Sequence, residues 1–157
     1  MLSQPQDGWT IFRLGEKTEY RLSYLTDVAC DWLDRAIYGL ETLDVFSVHG
    51  FSEPGRMICT VSYWNCYTIF EGDSDSEVCR EVYTCHISML SFCRQLAADI
   101  GDHLDAWVHW DDDTLEEAAD PEAAARERRT LLQGKLDRLK QLIDENAEDL
   151  AGDASFF

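Results

Sequence analysis

The chain has 157 residues, 45% of them apolar and 11% aromatic, a composition that belongs to one folded domain and excludes a disordered polymer. Thirty-one Asp and Glu against thirteen Lys and Arg leave a formal net charge of −18, which repels nucleic acid and anionic lipid and favours cationic partners. Met1 to Trp9 has neither the basic start nor the apolar core of a signal peptide, and no run approaches the roughly 18–20 apolar residues of a membrane helix, so a cytoplasmic protein without a membrane partner is expected.

Taken in chain order, Trp9 to Leu14 and Thr18 to Leu25 read as a hairpin around Gly15-Glu16-Lys17, with Tyr20, Leu22 and Tyr24 on one face of the second arm. Thr26 or Asp27 supplies an N-cap for a helix whose apolar stripe is Ala29, Trp32, Leu33, Ala36, Ile37 and Leu40. Leu43 to Phe51 returns to strand chemistry, and Glu53-Pro54-Gly55-Arg56 fits a type II turn. Arg56 to Phe70 is uncharged after its first residue and rich in β-branched and aromatic side chains. Apolar groups on both of its faces place it centrally in a sheet, with Met57, Cys59 and Val61 on one side and a bulge or bend at Asn65.

Glu71 to Glu77 is an acidic loop, Glu81 to Ile87 a further strand, and Ser88 caps a helix whose stripe is Met89, Phe92, Cys93, Leu96 and Ile100, with Gly101 as its stop. Leu104 to Trp110 fits either a continued helix or a short strand. Asp120-Pro121-Glu122 is a strong helix start. In the helix that follows, Leu132, Leu136, Leu139 and Ile143 form a stripe that packs on the domain or pairs with a twin in a homodimer. The prediction is an α+β fold: a mainly antiparallel β-sheet of about five strands packed by two amphipathic helices, plus a long C-terminal helix. Residues 1–110 form the α+β core domain, 111–120 an acidic connector, 121–150 the C-terminal helix and 151–157 a tail.

Motifs for chemistry are sparse. Asp73, Asp75 and Glu77 alternate like the first ligands of a calcium loop, but Val78 stands where that loop needs Gly and Thr84 where it needs Glu. Six cysteines include no C-x-x-C pair and lie mostly in apolar runs, where a reduced thiol behaves as a small hydrophobe. Cys85 and His86, adjacent in a strand, point to opposite faces and make no dyad. Asp99 and His103, four apart, would share a helical face but form no H-x-x-x-H site. There is no phosphate loop, nucleophile elbow or dinucleotide fingerprint, so no cofactor, no metal and no catalytic residue is assigned.

Acid outnumbers base throughout: nine to five in residues 1–60, eight to two in 61–110 and fourteen to six in 111–157. In this character (small, acidic, α+β, aromatic-rich, with no catalytic signature) the chain resembles bacterial immunity proteins that neutralise basic toxins, with no motif to carry residues across. The resemblance implies a non-enzymatic inhibitor or adaptor for a basic protein partner. Its candidate partner-binding residues are the acids Asp73, Asp75, Glu77, Asp111, Asp112 and Asp113. The alternatives are a small enzyme with a Cys/His or carboxylate site, and a dimeric scaffold built on Leu132, Leu136, Leu139 and Ile143.

Overall fold

Alternating burial and helical stripes assort the described residues into six strands and six helices. A computed structural model describes residues 1–16, 18–72 and 78–151, the side chains of 78–81, 112, 113 and 151 excepted. Trp9–Leu14 (β1) and Thr18–Ser23 (β2) pair antiparallel, Phe12 opposite Tyr20. Phe12, Leu14 and Leu22 are fully buried, whereas Tyr24, beyond the end of the strand, is exposed. Asp27 accepts from the Cys30 N–H and starts the helix Val28–Thr42 (α1). Leu43, in the left-handed region at φ 52°, ends it. Gly39 sits where a Cβ would lie 2.2 Å from the Phe46 ring, so only glycine lets the following strand lie this close to the helix.

Four strands form the second sheet: Phe46–Phe51 (β3), Arg56–Val61 (β4), Cys66–Glu71 (β5) and Val78–Cys85 (β6), antiparallel in the order β3-β4-β5-β6. The run expected as one long strand from Arg56 to Phe70 is therefore two. Asn65 marks a complete reversal rather than a bend: the Ser62 N–H and its hydroxyl both donate to the Asn65 carbonyl at 2.9 Å. Both halves are interior strands, as their composition demanded, and the strand count among the described residues rises to six. The preceding turn also differs from expectation. It closes one residue earlier, the Ser52 N–H donating to the Gly55 carbonyl, with a cis Glu53–Pro54 bond in place of a type II turn. Gly55 still takes the positive φ, 84°.

Ser88 caps Met89–Asp102 (α2) by accepting from the Ser91 N–H. This helix runs past Gly101, which has no positive φ to stop it. Leu104–Val108 is a short helix (α3), so the ambiguous stretch is not a strand. Its Trp107 and the following Trp110 are both buried, with ring centroids 5.0 Å apart. Asp112–Glu116 (α4) lies within the acidic connector, and the long helix runs Pro121–Glu145 (α5), capped by Asp120. Asn146 interrupts it before Ala147–Ala151 (α6).

Among the described residues, the hairpin and the helices lie to one side of the four-stranded sheet. The β1–β2 hairpin lies there through Tyr20, which stacks on Phe70 at 6.2 Å and donates its hydroxyl to Thr68. Helices α1 and α2 lie beside it. Trp32 meets Phe12 edge-on at 5.1 Å and stacks on Phe92, which in turn meets Phe46 edge-on. Helix α5 forms the outermost layer over α1 and α2, with Leu132, Leu136, Leu139, Leu142 and Ile143 buried beneath it. Its polar seam with α1 is a ladder of acid–base pairs: Asp27 with Arg128, Asp34 with Lys135 and Glu41 with Arg138. Rising numbers on both sides mean that the two helices run parallel, and the seven-residue spacing on α1 keeps the three acids on one stripe.

The Arg128 guanidinium grips both Asp27 oxygens, at 2.7 and 2.9 Å, and donates to the Trp107 carbonyl. Burial pushes the Asp27 carboxyl up, but the hydrogen-bonded charge of Arg128 and the Cys30 N–H outweigh it and hold the group below its ordinary value. A folded-state value below the unfolded one, about 3.9, makes this contribution fully present above about pH 4 and lost as pH falls through the folded value. Asp27→Ala, which removes cap and ion pair together, is expected to cost about 2 kcal/mol in urea denaturation at neutral pH, a figure moderated by the pair's partial exposure. Asp27→Asn keeps the cap acceptor and is expected to cost less. Both variants should show a smaller drop in stability below about pH 4 than the parent.

Trp32 is fully buried and its indole N–H donates to the His49 carbonyl at 2.8 Å, so Trp32→Ala should cost about 3–5 kcal/mol by cavity formation in the same assay. Val61→Asp places an unpaired charge in the same core and should abolish the cooperative transition altogether.

Candidate interaction surface

Because helices and hairpin share one face of the β3-β4-β5-β6 sheet, the opposite face is left uncovered by the described elements. Burial alternates along β3, with Phe46, Val48 and Gly50 inside and Ser47, His49 and Phe51 exposed. The pattern crosses the sheet in register. Ile58 and Thr60 of β4, Tyr67 and Ile69 of β5, and Val82 and Thr84 of β6 share the outer face, and the Ser47 and Thr60 hydroxyls meet at 2.8 Å. Ten large apolar side chains are exposed among the described residues, and seven of them lie on this face or its rim: Tyr38, Leu43, Val45, Phe51, Tyr63, Trp64 and Val82. Clustering of that kind makes this face the candidate interaction surface, whereas exposed apolar residues scattered singly need no such explanation. The reversal at Ser62–Asn65 presents Tyr63 and Trp64 at one end, where the Tyr63 hydroxyl donates to the Leu43 carbonyl.

Beside β3 the face opens into a cleft of about 290 Å³, lined by Asp31, Asp34, Arg35 and Tyr38 of α1 and by Ser47 and His49. Burial and the Asp27 charge push the Asp31 carboxyl up, against the opposing influence of His49. Ser47, His49 and Asp31 thus share a cleft, a grouping no local sequence pattern announces. The Ser47 hydroxyl is engaged with Thr60, so it is not poised beside an imidazole as a nucleophile would be. With Asp44 and Glu53, both exposed, Asp31 gives the apolar face an acidic margin.

Those residues singled out from sequence that the structure describes do not gather into one site. Asp73, Asp75 and Glu77 lie outside the described residues, as do the side chains of Asp112 and Asp113. Asp111 is half-buried at the start of the connector, where its carboxylate accepts from the Thr114 N–H and hydroxyl. Leu132, Leu136, Leu139 and Ile143 are buried inside the chain, against the helices they cross. Asp99 accepts the Leu2 N–H at 2.8 Å, which occupies it away from His103. His86 meets the Asn65 side chain at 2.6 Å and Cys85 faces the core, so the adjacent pair diverges as pleating requires. Among the described residues no three His, Cys, Asp or Glu side chains are arranged to hold a metal ion, and no helix is long and apolar enough to cross a membrane.

No protein-family model, no curated protein and no solved structure matches the chain. Exposed positions outside packed or bonded clusters tolerate substitution with little loss of stability. Phe51 and Trp64 are each a little over one-third exposed and Phe51 meets the His49 ring edge-on, so Phe51→Ser and Trp64→Ser are expected to cost about 1 kcal/mol in urea denaturation, well short of a core truncation, and to lower binding of a hydrophobic dye to the native protein. A midpoint shift several times larger would place these rings in the core.

Proposed function

We propose that the protein is a non-enzymatic binding protein that seats a basic protein partner on the open face of the β3-β4-β5-β6 sheet. The observation that carries this reading is the concentration of exposed aromatic and aliphatic groups on that one face, in a chain of net charge −18. Tyr and Trp are the side chains that anchor interfaces, because each excludes a large area of water at little cost in conformational freedom. Tyr38, Tyr63 and Trp64 stand at the rim, Phe51 on the sheet, and the carboxylates of Asp31, Asp44 and Glu53 surround them. Like charge of this size opposes association with a second copy and steers a cationic partner instead.

The reading is tested by capture from native lysate on immobilised protein, at low salt and again near 0.5 M salt, with the parent and the Phe51→Ser/Trp64→Ser variant side by side. A basic protein retained by the parent at low salt, reduced about tenfold or more at high salt and by the variant, is the expected result. Retention of no basic protein at either salt, or retention that the variant leaves unchanged, contradicts it.

A further inference from the structure

Three of the cysteines, Cys59, Cys85 and Cys93, neighbour a fourth, Cys66, in the core. Cys66 of β5 is fully buried and lies directly opposite Cys85 of β6 in the antiparallel ladder. Cys59, diagonal to Cys66 on β4, and Cys93 on α2 complete the group, both fully buried. Directly opposed residues of an antiparallel pair have side chains on the same face and Cα atoms about 4.5–5.5 Å apart, inside the range that a disulfide spans. Cys85 differs from its neighbours in being only half-buried: it lies under the β1–β2 turn, where a Cβ on Gly15 would come within 3.2 Å of its sulfur. One thiol is thus open to a small reagent, and the thiol that could resolve the product stands behind it. Edge strand β6 pairs only with β5 among the described strands, so a bond here would tie the edge to the sheet interior.

The geometry points to Cys66 and Cys85 as a dithiol site that a low-molecular-weight disulfide oxidises to a cross-strand disulfide, Cys85 reacting first. The Cys85 thiolate attacks one sulfur of the oxidant, forming a mixed disulfide and expelling one thiolate. The Cys66 thiolate then attacks the Cys85 sulfur, forming the Cys66–Cys85 bond and expelling the second thiolate. The two protons lost by the protein are taken up by the two released thiolates, and one oxidant disulfide is reduced for each protein disulfide formed. Burial pushes the Cys85 thiol up, with a contribution from Cys66, and pushes Cys93 up to about 12. Exchange is accordingly slow, and Cys93 is inert. Cys30, half-buried on α1, serves as an internal control for simple accessibility.

The test is incubation of the full chain with oxidised glutathione, quenching by alkylation over time, and mapping of linked peptides by mass spectrometry without reduction. The expected course is transient glutathionylation of Cys85, followed by linkage of Cys66 to Cys85. The urea midpoint should rise with that linkage and fall back on adding dithiothreitol. Cys66→Ala should halt at the Cys85 mixed disulfide, and Cys85→Ala should leave Cys59, Cys66 and Cys93 reduced. Should Cys66→Ala fail to fold, the order of species in the parent time course still decides. Persistent glutathionylation of Cys85 without linkage, linkage of other cysteines, or oxidation confined to Cys30 would overturn the proposal.

Discussion

A guanidinium reaching across 101 residues of sequence to a helix-capping carboxylate closes this fold. Asp27 does two things at once: it accepts the free Cys30 N–H at the start of α1 and it presents a charge to Arg128 at the edge of the core. Arg128 in turn holds the Trp107 carbonyl, so the first half of α5, the start of α1 and the end of α3 are joined by a single planar group. Bidentate geometry matters here, because it aligns as well as attracts. The two further pairs along the α1–α5 seam are more exposed and add register more than energy. Beneath that seam the leucine stripe of α5 supplies the apolar burial that holds the layer in place.

Placing α5 there has a consequence on the far side of the molecule. With the hairpin, α1, α2 and α5 stacked on one face, the sheet is a single-covered layer. Its outer face carries the apolar groups that such a layer cannot bury by itself. Four of the six basic residues of α5 bond carboxylates of other elements, so the bases of the C-terminal third are largely spent inside the structure while the acids remain in excess. The chain therefore meets its surroundings as an acidic body with one apolar, aromatic-rimmed side, which is the physical content of the proposed binding role.

Local rules made much of this legible in the sequence. The Asp120–Pro121 and Ser88 starts and the stripes of α1 and α2 are matters of neighbouring residues, and they stand where local chemistry put them. The run Arg56–Phe70 was harder, because Ser62-Tyr63-Trp64-Asn65 contains neither Gly nor Pro, and its reversal rests on hydrogen bonds that exist only once the chain has turned. Gly101 is the next-to-last residue of α2 rather than its stop, because it keeps a negative, helical φ and the helix ends only after Asp102. Leu104–Trp110 could not be resolved from the sequence, since Leu104, Ala106, Val108 and Trp110 alternate as a strand would while Leu104 and Trp107 continue a helical stripe.

Surface and thiol features were less accessible still, for a common reason: both depend on register between distant segments. The composition of Arg56–Phe70 shows apolar groups on both faces but not which face is covered, and that choice follows from where the hairpin and helices land. Cys66 and Cys85 are unremarkable in sequence and become neighbours only through strand pairing. Asp31, His49 and Ser47 likewise meet only because α1 packs along β3.

The central claim is that the leucine stripe of α5 is spent inside the monomer, leaving the outer sheet face as the main apolar surface. Native-state amide hydrogen exchange, followed residue by residue at two protein concentrations, tests it most directly. The account predicts that the interior amides of α5 open with the same free energy as those of β4 and β5, independent of concentration. Early exchange across α5, with protection that grows as protein concentration rises, would mean that the helix pairs with a twin instead, and would contradict it.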